Sequence, residues 1–258
     1  MSDNQVSRIQ GYVNNLSDLQ QPNKEMMQLF YQRYFNVKRW LFIALEDYNA
    51  AYRYWALSEP SVTPSIVSRA SILQENLNTI KGAYIAAIQS FSPAPSTFDD
   101  KFCFIKDHNA LETFKKNKKL VWTISKQEPV FESLDRVRLD KVRVWLDGAK
   151  HKDSNGTIYI SISTDGRYYD RLGSKEYQFV GEPVRRFFQY IPNDKLTTDE
   201  KIQLDGDVTE QFRDAYFRPT PFTTWIISLP DDNSNNQRVD LTNITQIRVE
   251  FAGSAIAS

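Results

Sequence analysis

The residues that could do acid–base, nucleophilic or metal chemistry are few and scattered. Both histidines, His108 and His151, lie in polar contexts, "KDHNAL" and "AKHKDS". Neither has a serine or cysteine nearby that could act as a nucleophile beside a base. Cys103 is the single cysteine, so the chain has no disulfide framework and too few His/Cys ligands for a zinc site. We therefore expect both histidines at the surface, no metal and no cofactor.

The acidic pairs are no better candidates for catalysis. Asp99-Asp100 and Asp231-Asp232 lie in loop-like sequence, and neither spacing is that of a glycosidase pair or a metal-binding loop. The sequence also contains no P-loop, no GxGxxG and no nucleophile elbow. These features predict a protein that is not an enzyme.

Two aromatic stretches could bind a ligand or a partner. In "STDGRYYDR" the residues that could stack on and hydrogen-bond a sugar are Asp165, Arg167, Tyr168, Tyr169 and Asp170. The alternative is a hairpin turn with Gly166 at positive φ and the tyrosines covering a sheet edge. In "FRDAYFRPTPF", residues 212–222, the candidate partner-binding residues are Arg213, Tyr216, Phe217, Arg218 and Phe222.

The first third of the sequence has helical periodicity. Apolar residues recur every three or four positions from Phe30 to Trp55 and again from Ile66 to Phe91. We expect helices at about 24–57 and 64–91, with Thr63-Pro64 as N-cap and first turn, paired as an antiparallel hairpin. One seam cannot bury all of this apolar surface. The rest packs either on the following domain or on other chains.

After the prolines at 93 and 95 the period changes to two, which is typical of strands. Strands are predicted around "KVRVWL", "TIYISIS" and "TTWIISLP", among others, with "KDSNG" (152–156) as a hairpin turn. The predicted buried core includes Trp145, Trp225, Ile227 and Leu229. The sequence thus predicts an α+β protein, with a helical hairpin at 1–94 and an antiparallel β-sandwich of about seven strands at 95–258.

Charge and composition limit the classes of partner and the locations that we expect for the protein. The formal net charge is zero, from 32 Lys+Arg and 32 Asp+Glu, which argues against nucleic acid. The polar N-terminus does not have the pattern of a signal peptide, which indicates a cytoplasmic protein or non-classical release. The most apolar stretch contains Glu46, Asp47 and Arg53, so no membrane span is expected.

The order of several short motifs resembles the C-terminal end of the A subunits of Tc toxins, the insecticidal toxin complexes of bacteria. The matching stretches are "LNTIKGAYIAAI", "DHNALETFKKNKKLVWTI", "PVFESLDRVRLDKVRVWL" and the segment from Phe212 to Pro230. The chain departs from that family at Ser133–Arg136, where a Pro-Gly-His-Tyr would stand, and at Thr223-Thr224, where glycines would follow the Pro-Phe. The resemblance covers roughly residue 33 to the C-terminus.

The resemblance implies the end of the pore-forming helices followed by a TcB-binding domain. It implies a B-type β-propeller component as partner, docked on the β half, and homo-oligomer contacts through the helical half. The chain is then a docking module without catalytic function, either a fragment of a longer protein or a small relative. A carbohydrate-binding β-sandwich is the alternative function.

Overall fold

A computed structural model describes residues 7, 21–60, 62–89, 95–192 and 202–258. The chain divides into two compact units, Met1–Ser92 and Pro93–Ser258. The first contains two contacting helices, and the second contains antiparallel sheets that pack together. The α+β fold class predicted from the change of period is therefore confirmed.

The helical unit consists of α1 (Gln21–Ala56) and α2 (Ala70–Gln89). Helix α1 ends where Leu57 adopts a left-handed conformation, with φ of 46°. The core of the unit is small. It is formed by Leu45, Leu73 and Ile80, with partly buried side chains packed around them.

The two helices run in the same direction, which corrects the antiparallel hairpin expected from the sequence. Leu45 of α1 packs with Leu73 in the first turn of α2. Tyr52, near the end of α1, lies beside Tyr84 and Ile88, near the end of α2. Because the contacting residues advance together along both helices, the pairing is parallel.

The connection between the helices explains this direction. It folds back along α1, where the side-chain amide of Asn49 donates to the carbonyl of Val62 at 2.9 Å. The chain then passes through a turn in which the Ser68 amide donates to the Ser65 carbonyl at 3.0 Å. Helix α2 therefore begins at Ala70, beside the middle of α1, and not at the predicted residue 64.

The β unit contains one α-helix, α3 (His108–Asn117), among its described residues. Its strands are β1 (Ser96–Ile105), β2 (Lys119–Thr123), β3 (Leu134–Asp147), β4 (Lys150–His151), β5 (Ile158–Leu172), β6 (Lys175–Val180), β7 (Arg185–Tyr190), β8 (Ile202–Leu204), β9 (Thr223–Ser228), β10 (Val239–Asp240) and β11 (Gln246–Ala257). One sheet has three strands in the order β1-β11-β3. A six-stranded sheet has the order β2-β9-β5-β7-β8, with β6 also paired to β5, and β10 pairs with β4.

The core lies between the three-stranded and six-stranded sheets. Trp225 of β9 contacts Phe251 of β11 with ring centroids 5.5 Å apart, and Trp145 of β3 contacts Phe188 of β7 at 4.8 Å. The backbone amide of Leu146 also donates to the hydroxyl of Tyr190 at 2.9 Å. The predicted core residues Trp145, Trp225, Ile227 and Leu229 are all buried, as expected.

Two predicted hairpin turns have other roles. Residues 152–156 do not close a hairpin, because β3 and β5 on either side of them belong to different sheets. Asp165-Gly166 lies inside β5, where the register with β9 shifts between Thr164 and Tyr168. Gly166 has φ of 80°, so this glycine provides a bulge in a continuous strand and not a turn.

Among the described residues, no helix has both the length and the hydropathy needed to cross a bilayer.

Candidate interaction surface

Helix α1 exposes a long series of large apolar side chains. No side chain from Asn23 to Ala44 is buried, and the first buried residue after this segment is Leu45. The reason lies in the fold, since the small core places α2 beside the second half of α1 only. The exposed apolar residues of α1 are Met26, Leu29, Phe30, Phe35, Val37, Trp40, Ile43, Tyr48 and Trp55.

The degree of exposure is highest near the middle of α1. Trp40 is 71% exposed, Val37 68% and Phe35 59%. A tryptophan and its neighbours left in water cost free energy that burial would recover, at about 25 cal/mol per Å² of apolar surface. Apolar surfaces of this kind on a folded chain mark sites of protein association.

An apolar groove continues this surface into the second half of α1. Alanines supply the small side chains of the groove, and aromatic residues and Ile88 supply the large ones. The groove is lined by Tyr48, Ala51, Tyr52, Trp55, Ala56, Tyr84, Ala87 and Ile88. A large side chain from another helix could pack between the aromatic rings.

The loop that precedes β9 divides into exposed and buried residues. Arg213, Tyr216 and Arg218 are exposed, and Arg218 donates to Asp140 at 2.7 Å. Phe217 and Phe222 are buried, which removes two of the five predicted partner-binding residues. Phe217 packs on Tyr168 at 4.9 Å, and Phe222 packs on Phe131 at 5.6 Å.

The predicted sugar site divides in the same way. Asp165, Arg167 and Tyr169 alternate outward along β5, whereas Tyr168 and Asp170 point into the sandwich and are fully buried. The hydroxyl of Tyr168 donates to the Glu182 carbonyl at 2.8 Å, and burial raises its pKa to about 12. Tyr168 and Asp170 therefore cannot stack on or bind a sugar at the surface.

Asp170 has a structural partner. Its carboxylate pairs with Arg138 of β3, and the two side chains are 0% and 6% exposed. Burial raises the pKa of the Asp170 carboxyl, and the nearby guanidinium opposes that effect. Because Asp170 lies on β5, this ion pair joins the six-stranded sheet to the three-stranded one.

The two histidines differ in their surroundings. His108 is the exposed first residue of α3. The His151 side chain is only 5% exposed, which corrects the expected surface position. Its Nδ1 accepts from the Asp153 amide at 3.0 Å, so Nε2 carries the proton and donates to the Asn235 carbonyl at 2.9 Å. These bonds make His151 a structural residue.

Cys103 is expected to be unreactive in the folded protein. It is 1% exposed on β1, and burial raises its thiol pKa to about 12 from 9.0. Since the thiolate is the reactive form, the reaction with a disulfide reagent at pH 8 should be roughly a thousandfold slower than in the unfolded chain. Labelling with and without urea measures this ratio. Equal rates would mean that β1 does not cover the thiol.

No family model and no curated protein matches the chain. The described residues also contain no group of three or more His, Cys, Asp or Glu that could hold a metal ion. Within the described residues, α1 exposes nine large apolar side chains. The sequence indicated an excess of apolar residues there but not their position, because exposure depends on where α2 begins.

Proposed function

We propose that this protein is a non-catalytic assembly module whose helical unit associates with other protein chains. The observation that supports this most directly is the exposed apolar surface of α1, where Trp40 and Val37 are about two-thirds or more exposed. Burial of such residues in an interface provides the main favourable term in protein association.

The length of α1 favours association over a freely projecting helix. From Asn23 to Ala44 the helix has no buried side chain to hold it in place. In proteins, most of the stability of a helix comes from tertiary packing of its apolar face. Among the described residues, only partly buried side chains such as Leu41 pack along this segment, and a partner would add to that packing.

The resemblance to Tc toxin A subunits adds a second partner to the proposal. In that scheme the β unit docks a B-type β-propeller component and the helical unit forms homo-oligomer contacts. The exposed residues of the loop before β9 that could contact the propeller are Arg213, Tyr216 and Arg218. Arg213 is the more exposed of the two arginines, with 71% of its side chain accessible.

Light scattering after size exclusion tests the proposal. We expect the protein to form an oligomer, and Trp40→Glu to shift the mass towards the monomer by weakening association at least tenfold, since a buried charge is costly. Gln28→Glu is the matched control, because it adds the same single negative charge at an exposed position of the helix that is already polar.

Two results would contradict the proposal. One is a wild-type protein that stays monomeric at high concentration and also ignores an added B-type component. The other is an oligomer whose mass is the same for wild type and Trp40→Glu, because the α1 surface would then take no part. Circular dichroism of each variant shows whether the helices remain folded.

A further inference from the structure

Three pairs of residues in α1 are placed symmetrically about Trp40. Arg33 and Asp47 each lie seven positions from Trp40, one on either side. Val37 and Ile43 each lie three positions from it. Further out, Leu29 and Ala51 each lie eleven positions away. The members of each pair complement each other in charge, in apolar character, or in size.

These residues share one side of the helix. At 3.6 residues per turn, all of them fall within an arc of about 120°. Leu29, Val37, Trp40 and Ile43 are at least 36% exposed. Arg33 and Asp47 are exposed too. We call this set the Trp40 face, and it extends over roughly 33 Å of helix.

We propose that the Trp40 face binds a second copy of this chain, with the two α1 helices antiparallel and a two-fold axis at Trp40. This inference rests on the proposed function and names its partner. In this arrangement each position meets the one equally far on the other side of Trp40. Arg33 then faces the partner's Asp47, and Asp47 faces the partner's Arg33.

The charges select the antiparallel arrangement. In a parallel, in-register pair Arg33 would face the partner's Arg33, and Asp47 would face the partner's Asp47. Both contacts would then be repulsive. The antiparallel pair converts them into two ion pairs on either side of a central pair of tryptophans.

The sizes of the side chains also favour the antiparallel arrangement. Leu29 faces the partner's Ala51, a small residue that lines the apolar groove with Tyr48 and Trp55. Each groove therefore accepts a leucine from the other chain, and two grooves are filled by one symmetric contact. In a two-fold interface every interaction occurs twice, once on each side of the axis.

Charge exchange tests the ion pairs. Arg33→Asp places like charges opposite each other twice and should weaken the dimer about tenfold by analytical ultracentrifugation. The double variant Arg33→Asp/Asp47→Arg should restore wild-type affinity. Arg39→Asp is the matched control, because Arg39 is exposed but lies outside the arc of the Trp40 face. It should have little effect.

Cysteine pairing tests the direction. Arg33→Cys and Asp47→Cys proteins, mixed and oxidised, should form a mixed disulfide dimer, while each protein alone should not. Two sulfurs introduced at position 33 of both chains of an antiparallel pair would be roughly 21 Å apart, too far for a disulfide. Buried Cys103 can stay in place in both proteins.

The outcomes separate this inference from the proposed function. Dimers linked through position 33 in both chains, or an affinity that ignores the charge exchange, would overturn the antiparallel pair. Association through the α1 surface would still stand in that case. A protein that is monomeric under all conditions and binds no other chain would remove both.

Discussion

Asp170→Ala should destabilise the β unit by about 3–5 kcal/mol, as expected for breaking a buried ion pair from one side. The variant leaves Arg138, whose side chain is 6% exposed, without its carboxylate inside the sandwich. The guanidinium keeps its hydrogen bond to the Val137 carbonyl but has lost both its water and its counter-charge. Urea unfolding followed by tryptophan fluorescence measures the change, because Trp145 and Trp225 are buried in the same sandwich.

The double variant Arg138→Met/Asp170→Leu is the informative control. It removes both charges and fills the space with apolar side chains, so its stability should lie within about 1–2 kcal/mol of wild type. If the double variant is much more stable than Asp170→Ala, the loss of stability in Asp170→Ala arises from the unpaired charge. If Asp170→Ala alone is nearly neutral, water must reach Arg138, and the two sheets do not close over this site.

The β core could be predicted because its signal is local. In "TTWIISLP" every second residue is apolar, and one face of a half-buried strand requires that pattern. The same alternation extends along β5. The even-numbered residues of this strand point inward from Ile158 to Asp170. The glycine at 166 suggested a turn instead. A bulge preserves the alternation across it, so Tyr168 and Asp170 are core residues.

The helix direction could not be predicted from local patterns. The apolar stripes of α1 and α2 are compatible with parallel or antiparallel packing, since either seam buries the same side chains. The decision depends on the connection, in which Asn49 holds Val62 against α1. A hydrogen bond between residues so far apart in sequence leaves no periodic signal. For the same reason the exposure of Trp40 followed only from the structure.

The order of the strands in the sheets could not be predicted from the sequence either. Strands β1 and β11 come from opposite ends of the unit and pair along their length, with Cys103 opposite Val249. Strand β1 begins just after the predicted proline linker, in "STFDDKFCFI", where an acidic pair interrupts the alternation. The register shifts between Phe98 and Lys101, at those aspartates. A bulged strand gives a weak period-two pattern, so the sequence predicts a loop at Asp99-Asp100, where the structure has β1.

Trp225→Ala is expected to cost about 3–5 kcal/mol, as a fully buried aromatic truncation. Trp225 is 1% exposed, and its indole N–H donates to the Pro221 carbonyl at 2.9 Å. The alanine variant loses the ring contact with Phe251 and one of the two hydrogen bonds to that carbonyl, which still accepts from the Thr223 amide at 3.0 Å. Val121→Ala is the control on the adjacent strand β2, where the side chain is 60% exposed, and it should cost less than about 1 kcal/mol.

A double-mutant cycle decides whether Trp225 stabilises its own sheet or the contact between sheets. Phe251 belongs to the three-stranded sheet and Trp225 to the six-stranded one. If their ring contact holds the sandwich together, Trp225→Ala and Phe251→Ala should be coupled by about 0.5–3 kcal/mol, as for residues in contact. Strictly additive effects would place the two rings in separate environments. The loss of stability would then arise within each sheet, and the packing between the two sheets would need another explanation.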